Sequence, residues 1–232
     1  MGEKYFRWDY VLDYFPKLFE KLPVTLSIVL MATLFGSIIA VFVAFIRLER
    51  IPVLNQLCVV FVSFMRSTPI IVQMFLLFFG SVMIFNTLFG INIITYNKIW
   101  FVYAAYALNL SGFMAEIFRG AILGVPKKQM DAAISVGHNR RQAYLHIIIP
   151  QAAVIALPTL GYTIVALLQD STLAFTFGII DVIGAINGVS ASTGHKLEGY
   201  FDAAFMFAIL AILVEKLFGF LEKKTTHQSR IT

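Results

Sequence analysis

The chain has 232 residues, of which 59% are hydrophobic and 13% charged, and its formal net charge is +5 at pH 7. Soluble domains carry about a quarter charged residues, so this composition argues against a soluble globular protein. Lysine and arginine flank the apolar runs instead of forming one basic face, which argues against a nucleic-acid binder, and the single cysteine, Cys58, excludes an internal disulfide and a cysteine-cluster metal site.

Residues 1–22 are predicted to form an amphipathic helix that Pro23 ends. Trp8, Val11, Phe15 and Leu18 recur at helical spacing, and charged residues fill the opposite face. Acidic residues are mixed with the basic ones, unlike the start of a cleaved signal peptide. This helix would lie in the membrane surface or pack against the rim of the protein, and the two placements are compatible.

Residues 24–46 form the first predicted transmembrane span, and residues 52–80 form the second. The second run is interrupted by Arg66-Ser67-Thr68-Pro69. A proline removes one helical hydrogen bond, and a freed carbonyl at membrane depth must face protein or a wet cavity. We therefore expect the break to face the bundle interior. Arg66 has two open interpretations, a side chain that reaches toward the interface or one that contacts substrate.

Residues 86–97 are a predicted connection before the third span, residues 99–118, which carries Asn109, Ser111 and Glu116. Small and polar residues at such depths favour close contacts and hydrogen bonds between helices. The loop that follows, residues 124–146, is the most polar internal stretch of the chain.

The fourth predicted span is 147–168, with Pro150 in its first turn, where a missing N–H is harmless, and a bend at Pro158 and Gly161. Residues 171–195 read as pieces too short to cross the membrane, and residues 200–220 form the fifth span.

Five crossings place the two termini on opposite sides of the membrane. Most lysines and arginines fall on one side if the N-terminus is outside, so the positive-inside rule places the loop 124–146 and the C-terminus in the cytoplasm. We divide the chain into a surface helix, 1–22, a transmembrane domain, 23–223, and a cytoplasmic tail, 224–232. No Walker, HExxH or GxSxG motif occurs, so we expect no nucleotide-binding or catalytic site in this chain.

The loop carries a spaced motif. Asp131-Ala132-Ala133 is followed after three residues by Gly137, and after nine more by Ile147-x-Ile149-Pro150. This pattern resembles the EAA motif of the membrane subunits of bacterial ABC importers, with Asp131 in place of Glu and Ile149 in place of Leu. Both departures keep the charge or the apolar character.

Five further segments resemble the permeases of the polar amino-acid uptake subfamily, and the resemblance covers residues 22–223. They are Leu22-Pro23-Val24-Thr25-Leu26, Arg66-Ser67-Thr68-Pro69 with Ile70-Ile71-Val72-Gln73, Ala115-Glu116-Ile117-Phe118-Arg119-Gly120, Pro150-Gln151-Ala152 and Gln169-Asp170-Ser171-Thr172-Leu173. Residues 171–186 are similar to permeases for cystine and related amino acids.

The resemblance implies an all-α membrane protein with an interfacial helix and five transmembrane helices, the type I ABC importer permease fold. It implies a bacterial cell membrane location and a complex with a second permease, a homodimer or a heterodimer. The other partners would be two cytoplasmic ATPase subunits, which bind ATP and Mg, and an extracytoplasmic binding protein. No cofactor is expected in this chain.

In that family the EAA loop forms a coupling helix that docks on the ATPase. The residues that the resemblance assigns to coupling are Asp131, Ala132, Ala133, Gly137, Arg140, Arg141 and Pro150. The open alternative is that Ala132, Ala133 and Gly137 only pack the loop on its own membrane helices.

Polar residues within the spans are candidates for a substrate pathway: Arg66, Gln73, Asn109, Ser111, Glu116 and Asp170. For a zwitterionic amino acid, Arg66 could hold the carboxylate and Glu116 or Asp170 the ammonium. The alternative for each is a hydrogen bond between helices. Two other functions stay open at this point, an ATP-independent secondary transporter and a membrane scaffold subunit.

Overall fold

The computed structural model describes residues 6–229, and side chains as far as residue 225. The helices are α1 Trp8–Phe19, α2 Leu22–Leu48, α3 Leu54–Ser67, α4 Ile70–Phe89, α5 Ile99–Gly124, α6 Lys127–Ser135, α7 Arg140–Ala143, α8 Ile149–Asp170, α9 Val182–Val189 and α10 Lys196–Ser229. A π turn, Tyr144–Ile148, joins α7 to α8, and a 3-10 segment, Ser171–Phe177, follows α8.

Five helical stretches are long and apolar enough to cross a membrane: 22–48, 70–89, 99–124, 140–177 and 196–225. This finding confirms the predicted number of spans. Hydrophobic runs of this length are a local property of the sequence, because each needs only about 20 apolar residues.

The centre of the bundle is the pair α2 and α5, which packs through small residues. A Cβ placed on Gly36 would lie 2.9 Å from the backbone oxygen of Ala107, so only glycine allows this approach. Gly161 plays the same part between α8 and α10, where a Cβ would lie 2.9 Å from the Cβ of Phe218. Pro158 lies inside α8, which continues through it. Gly161 therefore serves helix packing, and a bend at this point stays a prediction.

Several predicted boundaries are wrong by a few residues. Helix α1 ends at Phe19, and Pro23 lies in the first turn of α2, because a proline needs no hydrogen-bond partner there. Helix α4 continues to Phe89, where Gly90 adopts a left-handed φ of 66° and ends it. Helix α10 begins at Lys196 and runs to Ser229, so residues 224–229 continue the last helix.

Helix α1 packs on α9 and α10. Val11, Tyr14 and Leu18 are buried in this contact, while Trp8 and Leu12 stay exposed. The backbone N–H of Arg7, the residue before α1, donates to the carboxylate of buried Glu198 on α10 (2.8 Å). Packing on the protein's own rim is thus present, and the location in the membrane surface stays a prediction supported by the exposed apolar side. Residues 1–5 lie outside the described part of the chain.

The stretch between α8 and α10 forms short pieces, as predicted, since the 3-10 segment has 7 residues and α9 has 8. Asp181 caps α9 by accepting a hydrogen bond from the N–H of Gly184 (2.7 Å). Its side chain is fully buried, and this burial raises the pKa of Asp181 to about 6 despite the cap.

Candidate functional site

The predicted coupling segment folds as a short exposed helix closed by a glycine. Helix α6 spans 9 residues. After it, the N–H of Gly137 donates to Ile134 O (3.0 Å) and that of His138 to Ala133 O (3.1 Å), which is the bond pair of a Schellman motif. Gly137 has a left-handed φ of 93°, and a Cβ added to it would meet no heavy atom within 4 Å. The backbone conformation, and not packing, therefore demands glycine here.

The side chains of the Asp-Ala-Ala box lie on both sides of α6, one buried and two exposed. Ala133 is only 2% exposed and packs inward, whereas Asp131 and Ala132 are not buried. On the same segment, Ile134 and Val136 are also exposed, at 52% and 77%. Packing on the protein's own helices thus accounts for Ala133. It does not account for Asp131 and Ala132, whose side chains are exposed.

A capping box turns the chain from the loop into the fourth span. The side chain of Asn139 accepts from the N–H of Gln142, and the side chain of Gln142 accepts from the N–H of Asn139, each at 2.9 Å. This pair was not predicted from the sequence, although Asn and Gln three residues apart are a sequence signal for a helix start.

Both predicted arginines of the loop are exposed at this helix start. Arg140 Nη2 lies 3.8 Å from Glu49 Oε1 at the end of α2, and the Arg140 guanidinium lies over the ring of Tyr144, 5.9 Å from its centroid. An exposed pair at this distance contributes little stability. Arg140 and Arg141 are therefore available for a partner.

Pro150 lies in the first turn of α8, as predicted, but this turn is not a free helix end. Helix α8 does begin at Ile149, but it continues without interruption from α7 through the π turn. The N–H of Ile149 donates to Tyr144 O, a bond across five residues that widens the helix just before a proline that has no N–H to donate. The missing hydrogen bond is thus absorbed by a π turn inside a helical stretch, 140–177, instead of falling at a free helix end.

The interruption of the second run lies beside the middle of α5. Met65 packs on Gly112, and Phe78 packs on Phe101, so α3 and α4 together run antiparallel to α5. The break at Thr68 and Pro69 therefore falls opposite the middle of α5. Helix α3 has 14 residues and covers about 21 Å, too short to cross the membrane alone.

Two predicted pathway residues satisfy the carbonyls that this break frees. Pro69 has no N–H for Met65 O, and that oxygen instead accepts from the amides of Gln73 and Asn109, each at 3.0 Å. The Gln73 amide nitrogen also reaches Thr68 O (3.0 Å), and Gln73 Oε1 accepts from Asn109 (3.1 Å). Gln73 is 5% exposed. Hydrogen bonding between helices, the alternative interpretation, accounts for both amides, and the break faces the bundle interior as predicted.

Ser111 and Glu116 also have partners within the bundle. The Ser111 hydroxyl is buried and donates to Leu108 O one turn earlier (2.7 Å). Glu116 lies between Arg119 on its own helix (2.8 Å) and Arg47 at the end of α2, with which it forms an ion pair. The sequence shows the spacing of Glu116 and Arg119 but gives no signal that joins either of them to Arg47, which lies on another helix.

The two remaining pathway candidates are exposed. Arg66 lies at the end of α3 with its guanidinium 5.7 Å from the centroid of the Phe113 ring. Asp170 ends α8, and its backbone oxygen accepts from the hydroxyl of Tyr106 (2.6 Å), which leaves its exposed carboxylate for other contacts. The structure therefore brings Gln73 and Asn109 together and leaves Arg66 and Asp170 at separate helix ends.

The structure thus has an exposed helix between two spans of a five-span bundle with a polar break. Residues 32–227 match the family described as binding-protein-dependent transport system inner membrane component. The chain belongs to this family. Its place in the inner membrane and its role as a non-enzymatic component beside a separate ATPase are thereby confirmed, and such permeases work with ATPase and substrate-binding partners.

Relatives cover nearly the whole chain. The L-cystine transport system permease protein TcyL of Bacillus subtilis (strain 168) is 37% identical over 230 residues, which is 99% of this chain and 96% of the relative. A probable amino-acid ABC transporter permease protein, PatM of Vibrio harveyi, is 31% identical over 94% of this chain and 96% of its own.

A crystal structure of an amino acid ABC transporter with histidines superposes on this structure with a TM-score of 0.80 and 27% identity, covering 92% of this chain and 96% of the other. An inward-facing methionine ABC transporter, MetNI, at 16% identity and a TM-score of 0.69, shares the fold and covers 87% of this chain and 92% of its own. The expected type I permease fold is thereby confirmed.

Proposed function

We propose that this chain forms the transmembrane pathway of an ATP-driven importer for amino acids, with cystine as the substrate to test first. The observation that carries the coupling part is the outward side of α6, where Asp131 and Ala132 take no part in the chain's own packing. The cystine part is supported by the similarity to an L-cystine permease along the whole chain.

Helix α6 would dock on a cytoplasmic ATPase subunit. Its exposed side combines one carboxylate, a small residue that permits close approach and the apolar Ile134 and Val136. A nonpolar centre with a polar rim is the usual composition of a specific interface. Gly137 sets the angle between α6 and α7.

Movement of α6 would reach the pathway through the continuous stretch from α7 to α8, where the π turn precedes Pro150. The break between α3 and α4 is the proposed flexing point, since its carbonyls are held by side chains and not by a helical ladder. Pro158 is a second candidate, inside α8.

The proposed assembly has two permease chains, two ATPase subunits that hold ATP and Mg, and an extracytoplasmic binding protein. A homodimer is favoured because two identical chains would give two identical coupling helices. A heterodimer is the other arrangement. The N-terminus would lie outside and the C-terminus in the cytoplasm, as the distribution of lysine and arginine indicates.

Among the pathway candidates, Arg66 and Asp170 are favoured for direct substrate contact. Both are exposed, whereas Glu116 is already held by two arginines. At successive points of the pathway, Arg66 would face the substrate carboxylate and Asp170 its ammonium.

The test is cystine-stimulated ATP hydrolysis by the complete complex in nanodiscs with its binding protein. We expect Ala132→Trp to abolish the stimulation, because the bulky ring would obstruct docking at an exposed position where folding tolerates it. Ala191→Trp, at an exposed position between α9 and α10, is the matched control and should retain the stimulation. Intact coupling in Ala132→Trp would refute the docking assignment. Stimulation by another amino acid but not by cystine would refute the substrate alone, and uptake driven by a proton gradient without ATP would refute the importer class.

A further inference from the structure

An apolar groove with a volume of about 930 Å3 opens between α2, α5 and the start of α8. Its walls are formed by apolar side chains of these three helices, such as Val41, Phe45, Ile122 and Leu160. The groove exists because α8 presents small side chains here. Ala152, Ala153 and Ala156 all line it.

The polar side chains that line the groove gather at one end. Glu49 follows α2, and Arg140, Arg141 and Tyr144 lie where the fourth span begins. The rest of the lining is hydrocarbon. The groove therefore has a charged mouth at a membrane boundary and an apolar body at the depth of the spans.

An apolar space of this size within a bilayer does not hold water. Water enters a cavity only where it finds two to four polar partners, and the body of the groove has none in its lining. A flexible hydrocarbon chain can fill it, because such a chain is as apolar as the surrounding lipid.

The mouth carries more positive than negative charge. Glu49 is the one acid in the lining, and its oxygen is 3.8 Å from Arg140 across an exposed gap, which is a weak pair. Arg141 adds a second exposed cation at the same opening. Basic pockets between transmembrane helices at the headgroup level recognise anionic lipid headgroups.

We propose that this groove binds a phospholipid with an anionic headgroup, with an acyl chain along α8 and the headgroup phosphate at Arg140 and Arg141. The binding requires that the five spans lie in a bilayer and that the groove faces lipid, and it does not depend on which substrate is carried or on which side the loop lies. The site would anchor the start of the fourth span, next to the π turn, to the lipid around it.

The experiment is native mass spectrometry of the complete complex in detergent, titrated with phosphatidylglycerol and phosphatidylcholine that carry the same acyl chains. The wild type should retain phosphatidylglycerol about thirtyfold more than phosphatidylcholine, since each of the two cations near the headgroup contributes about 1 kcal/mol, which is about fivefold. Arg140→Gln together with Arg141→Gln should abolish this preference. Ala153→Trp, which fills the groove, should reduce retention of both lipids.

Two matched controls separate the groove from general effects. Lys128→Gln removes an exposed cation from α6 outside the lining, and Ala204→Trp adds the same ring at an exposed position on α10. Both should retain lipid as the wild type does.

Equal retention of the two lipids by the wild type, or unchanged retention in Ala153→Trp, would overturn the proposal. So would efficient cross-linking between two copies of an Ala153→Cys, Cys58→Ser chain in membranes, because a second permease would then cover the groove. If Ala153→Trp fails to assemble, the arginine variants decide. Lipid retention is measured without transport, so its failure is distinct from failure of the proposed function.

Discussion

Replacing Gln73 by leucine tests whether the break between α3 and α4 is held together by side-chain amides. Leucine is apolar and of similar size. The change removes the amide that donates to Met65 O and Thr68 O, both at 3.0 Å, and the oxygen that accepts from Asn109. Asn109 still reaches Met65 O (3.0 Å), so one freed carbonyl keeps a partner and Thr68 O loses its contact with the amide.

The expected cost follows from this partial loss. A buried group left without its partner costs about 1–3 kcal/mol, while hydrogen bonds between membrane helices average about 0.6 kcal/mol. We expect a loss of about 1–2 kcal/mol of stability in Gln73→Leu. For a chain of this size this corresponds to a fall in Tm of a few degrees, at about 2–4 °C per kcal/mol.

The assay is thermal denaturation of the purified complex in detergent, followed by the fraction that remains monodisperse. Gln151→Leu is the matched control, because Gln151 donates only to Ile147 O within its own helical stretch (3.0 Å). Its effect should be at most half that of Gln73→Leu. If the two variants lose the same stability, the amide network does not hold the break.

Three other substitutions test features of the loop, the bundle and the segment between α8 and α10. Gly137→Ala should lower the stability measured by thermal denaturation by about 1–2 kcal/mol, because the φ of 93° at this residue is left-handed. Gly120→Ala, which adds a Cβ in open space within α5, should lower the stability by nothing. Equal losses in the two variants would refute the conformational argument. Glu116→Gln should destabilise the protein by about 1–3 kcal/mol, because it removes the carboxylate between two arginines. Adding Arg47→Met to the same chain should restore part of this stability. If it restores none, the ion pair between Arg47 and Glu116 is refuted. Asp181→Asn should stabilise the folded protein at pH 7.5 by at most about 3 kcal/mol, and by less at pH 5. The pKa of Asp181 is raised to about 6, so the wild type loses stability as the pH rises from about 4 to 6, and the substitution removes this loss. An equal gain in stability at both pH values would contradict this.

Local patterns in the sequence were sufficient for the membrane class, the five spans and the loop between the third and fourth of them. Each span depends only on a continuous apolar run, and the Asp131 to Gly137 spacing is complete within one loop. The glycine at 137 could be predicted as a turn for the same reason, since its φ is set by its neighbours in the chain.

The roles of the polar residues within the spans were not predictable in the same way. Gln73 and Asn109 are 36 positions apart, yet they share Met65 O because the break in one helix faces the middle of another. Arg47 and Glu116 meet only because α2 and α5 pack through Gly36. The helix boundary at Pro23 was also not predictable from local pattern, since a proline can close one helix or open the next, and Pro23 opens α2.

The sequence by itself thus determined which segments leave water, because the free energy of transferring about 20 apolar residues into a bilayer is a sum over neighbours in the chain. Only the tertiary structure decided what each buried polar group does there. At membrane depth an amide, carboxylate or freed carbonyl must find a partner inside the protein, and that partner is chosen by helix packing, which brings together residues from distant parts of the chain.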